Sequence, residues 1–184
     1  YDGFCQQRFL DSALIDKPLA WRLIPGEVQH SFTDLVFGKV EIPAAICQEH
    51  YSIKRRDGLF AYQLVVVIDY LKQQIGQVIR GADLLEMTTR QQALCALLGQ
   101  TAPDYGHLPL AVTAPGQKLS KQNHASDISS QPLSQSLFRA LDLLGQQVPA
   151  ELQGAAVSEL LSWAIAHWQI SKVPKTTEVL ISPQ

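Results

Sequence analysis

The segment Lys118-Leu119-Ser120-Lys121-Gln122-Asn123-His124 carries two lysines three residues apart around a serine, just after the turn dipeptide Pro115-Gly116. Two ammonium groups on a loop can neutralise the charge that grows on a departing pyrophosphate, and a loop can close once ATP has bound. On spacing alone, a solvated lysine-containing loop is the plainer reading. Arg80 stands at a predicted strand end beside Gly81, where open α/β sheets place their ligands. A guanidinium there can hold a carboxylate through two parallel hydrogen bonds. Tyr62, just before an apolar run, has a hydroxyl able to reach the same crevice. Unaided, an ion pair of Arg80 with Asp83 or Asp69 and a core position for Tyr62 are the simpler readings. The run Lys54-Arg55-Arg56 could meet phosphates, but such runs are commonly solvated strand ends. Tyr1 and Cys5 supply a phenolate and a thiolate for zinc, only half of a four-ligand structural site. His107, His124, Cys47 and Cys95 carry no signal of their own, and the last two read most simply as small apolar residues.

Several predicted elements must position these groups. Residues 20–24 read as a strand stopped by Pro25-Gly26, and residues 31–37 as a second with Gly38 at its end. Residues 51–56 form a third, closed by Asp57-Gly58. The continuous β-branched run Leu64-Val65-Val66-Val67-Ile68 fits a buried parallel strand, although periodicity leaves a buried helix open. Gln77 to Arg80 is a short strand ending at Gly81. Thr88 or Thr89 can cap a helix through Gln91, Leu94, Leu97 and Leu98, with Gly99 as its left-handed stop. Residues 104–112 look like a strand, and the polar, serine-rich stretch 118–131 like a loop. Beyond it, Leu137, Ala140, Leu141, Leu143 and Leu144 form one helical face ended by Gly145. Leu160, Leu161, Ala164 and Trp168 form another. An α/β portion up to about residue 125 is thus followed by a small helical appendage.

The chain has 184 residues, of which 46% are apolar, enough for a real core and against a disordered or collagen-like chain. A formal net charge of −2 excludes a global positive field, so RNA contacts would rest on local basic spots. Three scattered cysteines do not make a disulfide framework and point to a reducing compartment. The longest apolar candidate, residues 59–70, is too short for a membrane span, and Tyr1-Asp2-Gly3 does not open a signal peptide. Lacking an initiator methionine, the sequence is expected to begin inside a longer protein.

The segments Lys54-Arg55-Arg56-Asp57-Gly58-Leu59-Phe60-Ala61-Tyr62-Gln63-Leu64, Val78-Ile79-Arg80-Gly81-Ala82-Asp83-Leu84, Thr89-Arg90-Gln91 and His107-Leu108-Pro109-Leu110 stand in this order. In that order they resemble the glutamyl-tRNA synthetase-like class I family. Lys118-Leu119-Ser120-Lys121-Gln122 then resembles the class's lysine-serine-lysine loop. Its continuation Gln122-Asn123-His124-Ala125 resembles the glutamyl-queuosine tRNA(Asp) branch, where ordinary glutamyl-tRNA synthetases usually continue Arg-His-Gly. Only about sixty residues follow the loop, as in that branch, which looks like a glutamyl-tRNA synthetase cut back to its catalytic core. One departure is Asp69-Tyr70-Leu71, where the family commonly has Asp-Asp-His.

This resemblance implies an α/β fold: a Rossmann-like class I catalytic core, incomplete here, with a small inserted zinc-binding, acceptor-like subdomain and a short C-terminal helical appendage. Residues 1–50 would end the inserted subdomain, 51–125 would form the second half of the core, and 126–184 the helical region. Tyr1 and Cys5 would be the last two of four zinc ligands, preceded by an upstream Cys-x-Cys. The His-Ile-Gly-His-type signature would lie in a missing N-terminal half. Tyr62 and Arg80 match glutamate-binding positions. Lys121 matches the ATP-binding lysine, and Lys118 and Ser120 the rest of its catalytic signature. The implied partners are L-glutamate, ATP and the anticodon loop of queuosine-containing tRNA(Asp), with no membrane, for a cytoplasmic monomeric ligase. A piece of an ordinary glutamyl-tRNA synthetase and a catalytically inert RNA-binding fragment are the alternatives.

Overall fold

The computed structural model describes residues 18–120 and 127–181. In chain order these form Trp21–Leu23 (β1), Ser31–Asp34 (β2), Gly38–Glu41 (β3), the single turn Ala44–Cys47 (α1), Tyr51–Lys54 (β4) and Tyr62–Lys72 (α2). Gln77–Gly81 (β5) leads through a 3₁₀ turn, Ala82–Met87, into Thr88–Leu97 (α3). Asp104–Leu108 (β6), Leu110–Ala114 (β7), Gln117–Lys118 (β8), Leu133–Leu143 (α4), Val157–His167 (α5) and Glu178–Leu180 (β9) complete the described strands and α-helices. Three sheets have the strand orders β1-β4, β3-β2-β6-β5 and β8-β7-β9. β1 and β4 pair antiparallel, as do β7 and β8, whereas β7 and β9 run parallel. The chain divides into two compact units. Of the described residues, one holds 18–33, 39–78 and 86–105; the other holds 34–38, 79–85, 106–120 and 127–181.

The core of the first unit is built from Tyr51, Val67, Leu94 and Cys95, with Leu23, Ile53, Leu64, Leu71 and Ala102 packed around it. Here the run 64–68 is helical, not a parallel strand. Ala61 is extended and the helix starts at Tyr62. The helix buries one stripe: Val67 is fully enclosed while Val65 is 41% exposed, a 3.6-residue pattern that overrides the β-branched composition. α3 also differs at its start, because Thr88 is its first residue and Met87 occupies the cap position without a side-chain bond. Its end is as expected, with Gly99 at φ +68°.

α3 is anchored by a buried arginine. Arg90 donates from Nε and Nη2 to the Ile46 carbonyl at 3.2 and 2.9 Å. Its Nη2 also pairs with Glu49 at 2.6 Å, and the guanidinium lies 5.5 Å from the Tyr51 ring centre. Burial pushes the Tyr51 phenol up to about 12, so it stays neutral and donates to the Arg90 carbonyl at 3.3 Å. Arg90→Leu strands the Ile46 carbonyl, while the half-exposed Glu49 returns to water. The expected loss is about 2 kcal/mol of folding stability, read from the urea midpoint.

In the second unit β2 stops at Asp34, three residues short of the expected end. The Asp34 carboxylate accepts the amides of Val36 and Phe37, both at 2.9 Å, an Asx-type turn that ends the strand. Gly38, at φ +76°, opens β3. The expected strand 104–112 is likewise two strands separated by Pro109, which has no amide hydrogen for a ladder. α4 and α5 pack together, and Leu141, Leu160 and Val173 are buried. Gly145, at φ +71°, closes α4 so near the Lys172 carbonyl that a Cβ would collide with it. Among the described residues no helix is long and apolar enough to cross a membrane.

Candidate functional site

β5 delivers Arg80 to its C-terminal end, one residue before Gly81. The guanidinium is held from two directions: Nε donates to His107 Nε2 at 3.0 Å, and Nη2 donates to the Leu84 carbonyl at 3.2 Å. Residues 82–87, a 3₁₀ helix immediately after the strand, carry the Leu84 carbonyl. Behind His107, its Nδ1 lies 2.6 Å from Asp34 Oδ2. Asp34 Oδ1 also accepts the His107 amide at 3.3 Å. Asp34 is 2% exposed and His107 not at all.

These contacts assign the imidazole tautomer. Arg80 Nε–H can only donate, so His107 Nε2 accepts and Nδ1 carries the hydrogen that goes to Asp34. Burial holds the His107 pKa below its ordinary 6.5, outweighing the pull of Asp34, and the Arg80 charge lowers it further. The result is a line of carboxylate, neutral imidazole and guanidinium.

Lys118, in β8, pairs through Nζ with Asp83 Oδ2 at 2.8 Å. Asp83 lies two residues after Gly81, and a Cβ on Gly81 would come within 2.7 Å of Asp83 Oδ1 and 3.0 Å of Leu110 Cδ2. The absence of a side chain at Gly81 therefore leaves room for the carboxylate that meets Lys118. Arg80 and Lys118, both named from the sequence, thus belong to one unit and meet neighbouring residues of the same turn. Ser120 lies in this unit too, half-buried. Lys121 lies outside the described residues, as do Gln122, Asn123 and His124.

Tyr62 belongs to the other unit. It is the first residue of α2 and is 53% exposed, so it is not a core tyrosine. The basic run beside it is partly engaged: Lys54 Nζ lies 5.0 Å from the Trp21 ring centre and 5.6 Å from that of Phe60. Arg55 pairs with Asp57 across its own turn at 2.6 Å. Cys47 and Cys95 are fully buried free thiols, behaving as small apolar residues. Tyr1 and Cys5 lie outside the described residues. Among the described residues no group of three His, Cys, Asp or Glu side chains is placed to hold a metal.

Two positions escaped sequence reasoning. His107 looked unremarkable and Asp34 was part of a predicted strand, yet together they back the guanidinium. The signals were present but indirect: a histidine inside a strand, and an aspartate two residues before an amide it could cap.

Residues 16–165 match the family described as tRNA synthetases class I (E and Q), catalytic domain. Proteins named glutamyl-Q tRNA(Asp) synthetase are similar along nearly the whole chain. The one from Vibrio vulnificus is 42% identical over 97% of this chain and 57% of its own length. That from Vibrio cholerae is 45% identical over 97% and 58%, and that from Colwellia psychrerythraea 46% over 98% and 58%. The chain therefore spans somewhat more than half the length of these relatives. A glutamate-tRNA synthetase structure from Elizabethkingia anophelis shares the fold, with a TM-score of 0.59 and 21% identity over 90% of this chain and 35% of that one. With 150 of its 184 residues inside the matched catalytic domain, the chain belongs to the class I glutamyl- and glutaminyl-tRNA synthetase family.

Proposed function

We propose that this chain supplies the glutamate-gripping and pyrophosphate-facing part of a tRNA-modifying ligase. The ligase activates L-glutamate with ATP and transfers it to the cyclopentenediol of queuosine in tRNA(Asp). The observation that carries this reading is the arrangement around the end of β5. A guanidinium fixed by His107 and Leu84 stands there, and the first lysine of the signature loop is drawn to Asp83, three residues further on. A carboxylate-binding group and a polyphosphate-binding loop in one unit are what glutamate activation needs. The names of the relatives support queuosine-bearing tRNA(Asp) as the acceptor.

In the first step an oxygen of the glutamate carboxylate attacks the α-phosphorus of ATP, and pyrophosphate leaves with the electron pair of the cleaved P–O bond. Arg80 holds one carboxylate of glutamate, and the Tyr62 hydroxyl hydrogen-bonds the substrate. Lys118 and Lys121 neutralise charge on the departing pyrophosphate, with Ser120 between them. For Lys118 to reach the phosphates it must exchange Asp83 for ATP. In the second step a queuosine hydroxyl attacks the carbonyl carbon of the adenylate, loses its proton and releases AMP, leaving an ester. The substrate is then an anticodon loop, whose exposed bases are read by stacking and edge contacts.

On this reading the protein is cytoplasmic and monomeric. Residues 1–50 end a zinc-binding subdomain with Tyr1 and Cys5 as two of four ligands, and residues 126–184 form a helical appendage to the core. The test uses the protein at its full natural length with labelled glutamate, ATP and three acceptors: tRNA(Asp) with queuosine, tRNA(Asp) without it, and tRNA(Glu). Label on queuosine-bearing tRNA(Asp) alone is expected. Label at the 3′ end of tRNA(Glu) makes it an ordinary synthetase, and no label on any tRNA leaves an RNA-binding protein.

A further inference from the structure

Arg80 has to present its guanidinium in one plane to grip a carboxylate with two hydrogen bonds, and a free arginine side chain has many rotamers. Three elements remove that freedom. β5 sets the backbone, the turn 82–87 offers the Leu84 carbonyl to Nη2, and β6 offers His107 Nε2 to Nε. His107 can accept only as the tautomer protonated on Nδ1. That hydrogen needs a buried acceptor, which Asp34 provides at 2.6 Å. Asp34 is itself fixed by three backbone amides, those of Val36, Phe37 and His107. The charged groups around the imidazole are Asp34 from β2, Arg80 from β5 and Asp83 from the turn 82–87.

We propose that His107, oriented by Asp34, is a positioning residue that holds the Arg80 guanidinium in the plane from which it binds the glutamate carboxylate. The inference rests on the reading of Arg80 as the glutamate clamp and names what makes that clamp rigid. The imidazole touches no substrate. It acts through Arg80, so its loss weakens glutamate binding and leaves ATP binding and the chemical step alone. A histidine that merely fills the core would behave differently: its removal would lower stability without moving one substrate's KM.

The experiment measures glutamate KM, ATP KM and kcat by ATP–pyrophosphate exchange on the full-length protein, for wild type, His107→Leu, His107→Gln and Arg80→Ala. His107→Leu removes the acceptor, and glutamate KM is expected to rise roughly tenfold, the scale of one hydrogen bond to a charged group. ATP KM and kcat stay within about a factor of two. His107→Gln puts a side-chain carbonyl near the place of Nε2, and most of the glutamate KM is expected to return although the Asp34 contact is changed. Equal glutamate KM in wild type and both His107 variants, with Arg80→Ala still impaired, overturns the positioning role alone. An Arg80→Ala protein with normal glutamate KM overturns the clamp as well. If the Leu variant does not fold, Asp34→Asn takes its place, because it disturbs the acceptor that sets the His107 tautomer: a selective rise in glutamate KM is expected, and lowered stability with an unchanged glutamate KM rejects the proposal.

Discussion

Replacing Arg80 by alanine raises the glutamate KM in ATP–pyrophosphate exchange by on the order of 10²-fold, while ATP KM stays nearly unchanged. Truncating one partner of a close, desolvated charge pair typically costs 2–5 kcal/mol, and about 3 kcal/mol corresponds to roughly two decades. The effect is large because the guanidinium is already immobilised by His107 and Leu84: the substrate meets a prepared group and spends little free energy ordering it. It is selective because, on the proposed reading, Arg80 meets the glutamate carboxylate and the lysines meet the phosphates. Arg80→Lys keeps the charge but loses both the fork and the Nε donor to His107, so it falls between wild type and alanine. An equal rise in the KM of both substrates would instead make Arg80 a support of the fold.

Lys121→Ala lowers the rate of glutamate activation by on the order of 10²-fold with little change in glutamate KM. The ammonium is needed most when negative charge builds on the leaving pyrophosphate. Its loss therefore falls on the transition state more than on the bound substrates. Lys118→Ala is the milder change, about tenfold, because the Lys118 ammonium is shared with Asp83 at 2.8 Å and has to leave that partner first. Both are measured by the glutamate-dependent exchange of labelled pyrophosphate into ATP. A Lys121→Ala protein exchanging at the wild-type rate would remove this lysine from the chemistry.

Much of the local structure was legible from residue types. Gly99 and Gly145 mark ends that the structure keeps, β1 stops at Leu23 just before Pro25-Gly26, and the apolar faces 137–144 and 160–168 fall on α4 and α5, with Leu144 and Trp168 as their C-caps. In the run 64–68 valine and isoleucine favour a strand, while periodicity leaves a buried helix open. What decided it was a neighbour: Val67 packs against Leu94 and Cys95 of α3 within one cluster, a contact that no window of five residues contains. The same reason separates the two halves of the site. Arg80 and Lys118 were visible because the family resemblance covers them; by residue type alone a solvated lysine loop and an ion-paired arginine are the simpler readings. The Asp34–His107 pair was not, since its members stand 73 residues apart and neither belongs to a local pattern that points at the other.

That separation also has a consequence in time. A ribosome adding roughly 5–20 residues per second takes roughly 4–15 s to travel from Asp34 to His107. During this interval the aspartate can already organise its own turn, because the amides of Val36 and Phe37 follow at once. The imidazole arrives last, into a pocket whose acceptor is waiting, and only then can Arg80, made 27 residues earlier, be fastened. The fastened end of β5 is therefore among the late features of a nascent chain, and a polypeptide released before residue 107 carries the arginine without its support.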